Sequence, residues 1–460
     1  MPSESRNLAA DALQIWRAGV AAVDSRLLVR NALRVEGDRL FVGHDSYDLK
    51  AIRRIVVVGA GKAGAGMAEG VEQALGPRLL AEKQVAGWLN VPADCVRPLA
   101  AIHLHTARQP GQNEPTPEGA AGAEQILRLV GEATADDLCL ALISGGGSAL
   151  LPAPVAGISL VDKLAVTRHL SAAGADIRQL NTVRKQLSRI KGGGLRRACR
   201  AGRLVTLIIS DVLGDPLDII ASGPTVDDPS TPDDALAVLE KFHAQEAGIA
   251  PAVFDYLRSA AKRSDHRTGC PATNLVIGNN STAVDASARE AARLGYTVET
   301  APTNPREGFA EDVGRQLADK LLVMRRAAGP HCLVSGGEPV VKLAPAETRG
   351  RGGRNQQLVL AAAEQLAHEN VDHFAMISGG TDGEDGPTDA AGALLDEQIL
   401  VAAQSRGLDT ADYLRRNDAY HYFEPLAALV KTGPTHTNVC DVRVIVVDPP
   451  ERQNDVGSQS

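Results

Sequence analysis

The chain has 460 residues, of which 44% are hydrophobic but only 3% aromatic, and a formal net charge of −8. That length exceeds one ordinary core, so two or three domains are expected, filled by Ala, Leu, Val and Ile as in alternating strand and helix layers. An acidic balance without a long basic run argues against nucleic acid or an anionic membrane as the main partner, and leaves room for a small anionic substrate held by local positive charge. Six cysteines (Cys95, Cys139, Cys199, Cys270, Cys332, Cys440) lie far apart with no C-x-x-C spacing and read as free thiols of a reducing compartment. Residues Met1 to Leu13 lack the apolar stretch of a signal peptide and no membrane-length apolar run occurs, so the expected address is the cytoplasm. Glu451 to Ser460 read as a frayed polar tail.

In chain order, Leu8, Leu13, Ile15, Trp16, Val20, Val23, Leu27 and Leu28 recur at helical spacing and predict a helical lead-in. One theme then repeats: a short β-branched run, a glycine-rich turn, an alanine-rich amphipathic segment. Ile55–Val58 leads into Gly59 to Gly64, Leu138–Ile143 into Ser144 to Ser148, and Leu204–Ile209 into Ser210 to Pro216. Leu275–Ile277 leads into Gly278 to Ser281, Cys332–Val334 into Ser335 to Glu338, and Phe374–Ile377 into Ser378 to Gly383. Continuous apolar strands alternating with helices predict an α/β protein of two domains, each a largely parallel sheet flanked by helices, the first Rossmann-like. Ligands of such sheets bind outside the carboxyl ends of the strands, where these turns lie. Prolines and glycines between Ala221 and Asp234, and a polar break at Asp265–Ala272, place the domain seam within 225–335.

Gly59, Gly61 and Gly64 form G-x-G-x-x-G after a strand, but the next predicted strand, Gln84–Leu89, ends in Asn90-Val91-Pro92 without the acid that takes ribose hydroxyls. Lys62, inside the turn, adds a full charge to a helix amino end that already favours anions; a tight packing turn with a solvated lysine is the plain alternative. Ser144, Gly145, Gly146, Gly147 and Ser148 suit a nest of converging N–H groups for a carboxylate, or else a simple turn. Asn181–Lys191 predicts a helix with Arg184, Ser188 and Lys191 along one face, stopped by Gly192 to Gly194; such a stripe holds an anion or is a solvated face. Asp211 and Asp215 follow one strand, and Asp382, Glu384, Asp385 and Asp389 another, as magnesium's hard oxygen ligands or as helix caps. Arg349, Arg351 and Arg354 in a glycine-rich loop before a helix make a flexible clamp for a phosphoryl group, or ordinary surface charge. Lys431 to Asn438 adds a polar turn, and His103 and His105 lack a third ligand at zinc spacing.

Together, VVVGAGKAG (56–64), ISGGGSALL (143–151), NTVRKQLSRIKGGGL (181–195), ISDVLGDPLDIIASGPT (209–225), SGGEP (335–339), GRGGRNQ (350–356), SGGTDGEDGPTDAAGA (378–393) and KTGPTHTNV (431–439) resemble the class II glycerate kinases, which carry a C-terminal MOFRL domain. The resemblance spans nearly the whole chain, and its eight blocks in order are far more specific than any one. It implies an N-terminal glycerate kinase domain over 1–245, a connecting α/β region over 246–330 and a MOFRL domain over 331–450. It also implies phosphorylation of D-glycerate at the 2-hydroxyl, with ATP and magnesium (Mg2+), in an interdomain cleft. Lys62 and Arg354 match the family's catalytic lysine and arginine. Chemistry then assigns Ser144 to Ser148, Arg184 and Lys191 to the glycerate carboxylate, and Asp211 and Asp382 to the metal. The nucleotide falls to Gly59, Gly61 and Gly64, to Gly278, Asn279 and Asn280, and to Gly336, Gly337 and Glu338. Family members have also been labelled hydroxypyruvate reductases from a tartrate-degradation setting. An NAD(P)H-dependent reductase is therefore the rival expectation, a non-catalytic sugar-phosphate or nucleotide sensor the third, and a homo-oligomer stays open.

Overall fold

The computed structural model describes residues 6–110, 112, 114–261, 269–301, 307–369 and 371–449. The tail Glu451–Ser460, the first five residues and residues 265–268 of the polar break lie outside the described residues. The chain divides into two compact units. The N-terminal unit is Asp24–Asn279 with His436–Asn438; the C-terminal unit takes the chain through Val23, Asn280–Thr435 and the chain from Val439.

The lead-in is two helices rather than one. Helix α1 (Leu8–Ala22) belongs to the C-terminal unit, and Asp24 then caps α2 (Ser25–Ala32) in the N-terminal unit by accepting from the Leu27 N–H. An antiparallel meander follows, β1 (Leu33–Glu36), β2 (Arg39–Val42) and β3 (Asp45–Asp48). The main sheet contains β4 (Ile55–Ala60), β5 (Ala86–Pro92), β6 (Ile102–Arg108), β7 (Leu138–Ile143), β8 (Arg203–Ile209) and β9 (Ala272–Gly278). All its ladders are parallel, in the order β6-β5-β4-β7-β8-β9. Every residue of β4 and β7 is buried, as expected for strands covered on both faces. The sheet order reverses between β4 and β7, and such a reversal opens a crevice at the carboxyl ends of the two strands. The turns after these strands are Gly59 to Gly64 and Ser144 to Ser148.

The intervening helices are α3 (Gly64–Glu82), α4 (Pro117–Gly131), α5 (Gly147–Leu150), α6 (Leu160–Ala172), α7 (Ile177–Gln186), α8 (Gly194–Ala198), α9 (Pro232–Lys241) and α10 (Pro251–Ala261). Reciprocal capping boxes start three of them, Ser159 with Asp162, Asp176 with Gln179, and Thr231 with Asp234. Ile126 and Val130 of α4 pack on Val56, Val58, Cys139 and Ala141 of the sheet. A separate helical core joins α6, α7, α9 and α10 through Leu170, Val183, Leu239 and Phe254. The helix expected over Asn181–Lys191 is displaced. The Asp176–Gln179 capping box starts it earlier, and it ends at Gln186. Beyond it, Ser188 bridges Pro154, and its hydroxyl accepts from the Ile190 and Lys191 N–H groups, so the side chain offers the backbone partners that a helix would otherwise supply. Ser188 and Lys191 therefore do not share a helical stripe with Arg184.

The C-terminal unit contains α11 (Asn280–Arg293), β10 (Thr297–Ala301), α12 (Ala310–Met324), β11 (His331–Gly337), α13 (Arg354–Leu366), β12 (Phe374–Gly380), β13 (Gly392–Asp396), α14 (Glu397–Ser405), α15 (Thr410–Arg415), α16 (Ala419–Phe423), β14 (Leu429–Val430) and β15 (Asp441–Val447). It is α/β as expected, but its sheet, β10-β11-β15-β12-β13-β14, is mixed rather than largely parallel. Strand β15 runs antiparallel to both β11 and β12, and β13 pairs antiparallel with β12 after a connection without a helix, which cannot carry a parallel crossover. Helix α1 packs on this sheet through Trp16, which is fully buried and donates Nε1–H to the Gly379 carbonyl at 3.3 Å. A Cβ on Gly379 would stand 2.8 Å from the indole, so this glycine is required by the tryptophan it seats.

Candidate active site

In the N-terminal unit the turns after β4 and β7 are locked together. The Lys62 N–H donates to the Gly145 carbonyl at 2.9 Å and the Ala63 N–H to Ser144 Oγ at 3.1 Å. Close approach explains the glycines: a Cβ on Gly59 would overlap the Leu142 carbonyl, and one on Gly61, whose φ is +147°, would overlap Ser144 Oγ. Gly64, the first residue of α3, faces Val91, and no side chain caps that helix, so its first-turn N–H groups point toward the half-buried Lys62 turn without a side-chain acceptor. Gly146 is left-handed at φ +76°; a Cβ there would lie 3.1 Å from an Arg108 Nη2 and 3.6 Å from Lys62 Cγ. A Cβ on Gly145 would lie 2.5 Å from Asp211 Oδ2 and 3.0 Å from Asn438 Nδ2. The Ser144 to Ser148 turn thus has two lysine or arginine groups on one flank and an acid with an amide on another.

Beyond Ser148 lies a second positive group. Lys191 Nζ donates to the Ser148 carbonyl at 2.7 Å and to its Oγ at 3.1 Å. Ser148 Oγ pairs with Ser222 Oγ at 2.9 Å, and Ser222 donates onward to Asn181 Oδ1 at 3.1 Å. Ala221, Ser222 and Gly223 all take positive φ, an arrangement that costs energy in the first two and is held by these bonds. Burial, with Lys163 and Arg184 adding repulsion, holds the Lys191 ammonium well below the usual lysine range. Burial first and Arg184 second pull Lys163 down to about 7, and burial lowers Arg184.

In the C-terminal unit Arg354 opens α13. Its guanidinium grips Asp441 through Nε at 2.7 Å and Nη2 at 2.9 Å, and donates Nη1 to Glu338 at 2.9 Å. Burial works against the charge, but Asp441 first and Glu338 next outweigh it and raise the arginine pKa. Asp385 accepts from the Asn355 and Gln356 N–H groups at 2.9 Å each and so caps α13; burial pushes its carboxyl up to about 6. Asp382 accepts from the Glu384 N–H at 3.1 Å on the rim of the same cluster.

The structure brings Lys62, Ser144 to Ser148, Asp211 and Lys191 around one pair of turns, and the charge of Arg184 acts on Lys191. It places Arg354, Glu338 and Asp382 together in the C-terminal unit. Several of the expected nucleotide ligands also have packing roles. A Cβ on Gly278 would overlap Leu28, one on Gly336 Asn280, and one on Gly337 Glu307. Asn279 donates to Asp215 at 2.6 Å, and Asn280 Nδ2 to the Val439 and Asp441 carbonyls. The three arginines are not a flexible clamp: Arg351 lies 4.7 Å over the Tyr420 ring and donates to the Pro387 carbonyl, away from the acids that hold Arg354. His103 and His105 stack with Trp88. Sequence reasoning missed Lys163, Arg108, Ser222 and Asn438. For Lys163 a signal existed, since it shares the buried stripe of α6 with Val166 and Leu170 at i, i+3 and i+7.

The chain matches the family described as "Domain of unknown function (DUF4147)" over residues 11–258 and the MOFRL family over 331–441. It is 36% identical to a glycerate kinase of Danio rerio, across 96% of this chain and 98% of the relative. This chain belongs to the glycerate kinase family: it is a kinase. A crystal structure of a glycerate kinase from Thermotoga maritima superposes with a TM-score of 0.80 at 31% identity, covering 95% of this chain and 99% of that one. A provisionally named hydroxypyruvate reductase of Agrobacterium vitis is 40% identical over 86% of this chain and 99% of its own. Among the described residues no helix is long and apolar enough to cross a membrane, and no group of three or more His, Cys, Asp or Glu is disposed to hold a metal. Among the described residues no two cysteines are joined in a disulfide.

Proposed function

We propose that this protein transfers the γ-phosphoryl group of ATP to D-glycerate, in the presence of magnesium, giving 2-phosphoglycerate. The observation that carries the reading is the concentration of desolvated positive charge around the turns after β4 and β7, in a chain of the glycerate kinase family. Phosphoryl transfer needs little covalent help from the protein: it needs the hydroxyl positioned in line and positive groups on the phosphoryl oxygens. Lys62, at the uncapped start of α3, suits phosphate oxygens, as does Arg354, whose two carboxylate partners fix its plane. Lys191 and Arg184, deeper and drier, suit the small carboxylate. Asp211 in the N-terminal unit and Asp382 in the C-terminal unit are each a candidate carboxylate for magnesium, an ion that can take a single protein carboxylate and keep water for its other positions. Magnesium would supply positive charge to the phosphate oxygens. The choice of the 2-hydroxyl rests on the family resemblance.

The reductase reading is disfavoured by Asn90. Where a dinucleotide fold presents its ribose acid, this residue is fully buried and spends its amide on the Gly119 and Leu150 carbonyls at 2.9 and 2.7 Å. Purified protein with D-glycerate, ATP and magnesium should release ADP, lose turnover on chelation, and give a product that enolase alone consumes. A product that enolase takes only after a mutase overturns the 2-hydroxyl. Oxidation of NADH by hydroxypyruvate with no ADP release overturns the kinase reading.

A further inference from the structure

Helix α6 carries a lysine where its neighbours are core. Lys163 is only 7% exposed, and its Nζ has no hydrogen-bond partner. Lysine is almost never fully buried without a partner, because an unpaired ammonium forfeits its hydration. Here the nearest charges repel it further: Arg184 on α7 acts on Lys163, and both act on Lys191. Among the described residues none of the three enters an ion pair with an acid. Two buried lysines and a half-buried arginine without a counter-ion are costly in an empty fold and strongly favourable once an anion enters, since much of the desolvation has already been suffered and each head group can gain a charge-assisted hydrogen bond.

The dryness of the place selects the anion. The buried Lys191 head group is fixed on the half-buried Ser148, and the buried Ser222 and Asn181 close the polar chain beside it. A polyphosphate needs a wetter opening with backbone N–H groups, which the Lys62 turn provides on the other side of the same loop. We propose that Lys163 is a specificity-determining residue for an acid substrate, its ammonium holding the carboxylate of a small 2-hydroxy acid together with Lys191 and Arg184. This deepens the glycerate reading and rests on it for the identity of the acid. It accounts for a cost that packing does not explain, and it makes the site reject the neutral amide or alcohol of the same shape, which would leave three cations unanswered.

Lys163→Met and, as a polar neutral second variant, Lys163→Gln test it. Each should raise KM for D-glycerate about ten- to a hundred-fold, the range for losing one charged hydrogen bond, while kcat and KM for ATP stay within about threefold. Because the removed charge is unpaired, neither variant should melt below wild type, which separates this role from a structural one. Thermal shift without nucleotide gives a second readout: D-glycerate or lactate should raise the wild-type melting temperature, glyceramide should not, and the variants should lose the response. An unchanged KM for glycerate with an unchanged carboxylate shift overturns the proposal. A rise confined to KM for ATP also overturns it, by assigning the anion to nucleotide phosphate. If wild type fails to phosphorylate glycerate yet shows the Lys163-dependent carboxylate shift, the kinase substrate is wrong and the carboxylate site stands.

Discussion

Replacing Arg354 by alanine should damage stability and catalysis through two separable routes. Its partner Asp441 begins the central strand β15 with a side chain that is 0% exposed, while the Arg354 side chain remains 33% exposed. Removing the guanidinium strands a buried carboxylate, for which about 3 kcal/mol is the appropriate figure, the low end for a broken buried pair because water reaches the arginine's outer edge. Glu338, 45% exposed, simply returns to solvent and adds little. Catalysis should fall about a thousand-fold or more if the arginine meets transferring phosphoryl oxygens. Chemical denaturation and a coupled ADP assay, run on Arg354→Ala and on Arg354→Ala with Asp441→Asn, separate the two. The second change removes the stranded charge and should recover most of the stability while recovering none of the rate. Arg354→Lys keeps a charge but cannot make both bonds to Asp441, and should fall between. A kcat within twofold of wild type for Arg354→Ala would refute its catalytic role, and a wild-type denaturation midpoint would refute the energetic importance of the ion pair.

Two further outcomes follow from the N-terminal unit. Gly61→Ala should cost about 1–3 kcal/mol, because its Cβ would fall on Ser144 Oγ and 2.8 Å from the Ser144 carbonyl in a positive-φ position, and should lower kcat/KM by tilting the Lys62 turn; Gly131→Ala, with open space around it, is the control, and equal denaturation midpoints for the two would contradict the packing account. Lys163 should make stability rise with pH: its folded pKa near 7 lies below the 10.5 of the unfolded chain, so between those values the unfolded state binds the extra proton. Its penalty is full below about 7 and gone above 10.5, a few kcal/mol in all, so the urea midpoint should rise from pH 7 to 9.5 more in wild type than in Lys163→Met, and equal rises in the two would refute the penalty.

Periodicity and glycine-rich turns were enough to read five of the six parallel strands, all but β6, because runs such as Ile55–Val58 and Leu138–Ile143 are buried on both faces, whereas Ile102–Arg108 alternates with polar residues and has no glycine-rich turn after it. The direction of β15 was not legible: Asp441–Val447 is equally apolar whichever way it runs, and its neighbours in the sheet are remote in sequence. The helix through Arg184 was misjudged at both ends because its start depends on the Asp176–Gln179 exchange and its end on a single serine hydroxyl. Within the site, residues on the turns themselves could be named in advance, since glycine and lysine after a strand have a local signature. Ser222 and Asn438 could not be joined to them, because only the tertiary fold carries the strained turn at Ala221–Ser222 and the late segment 436–438 to the same loop.

The way the chain is shared between the units has a consequence for biosynthesis. Helix α1 is synthesised well before the sheet that seats it: Trp16 donates to Gly379, and the last strand of that sheet ends at Val447. Its apolar face must therefore wait until the strands through Val447 have been made, guarded by chaperones or held in transient helical form. Asn438 likewise reaches the Gly145 turn long after that turn can fold. A truncated product ending before residue 436 would carry both an unsheltered tryptophan and an incomplete loop, which marks it for degradation before it can act as a half-built enzyme.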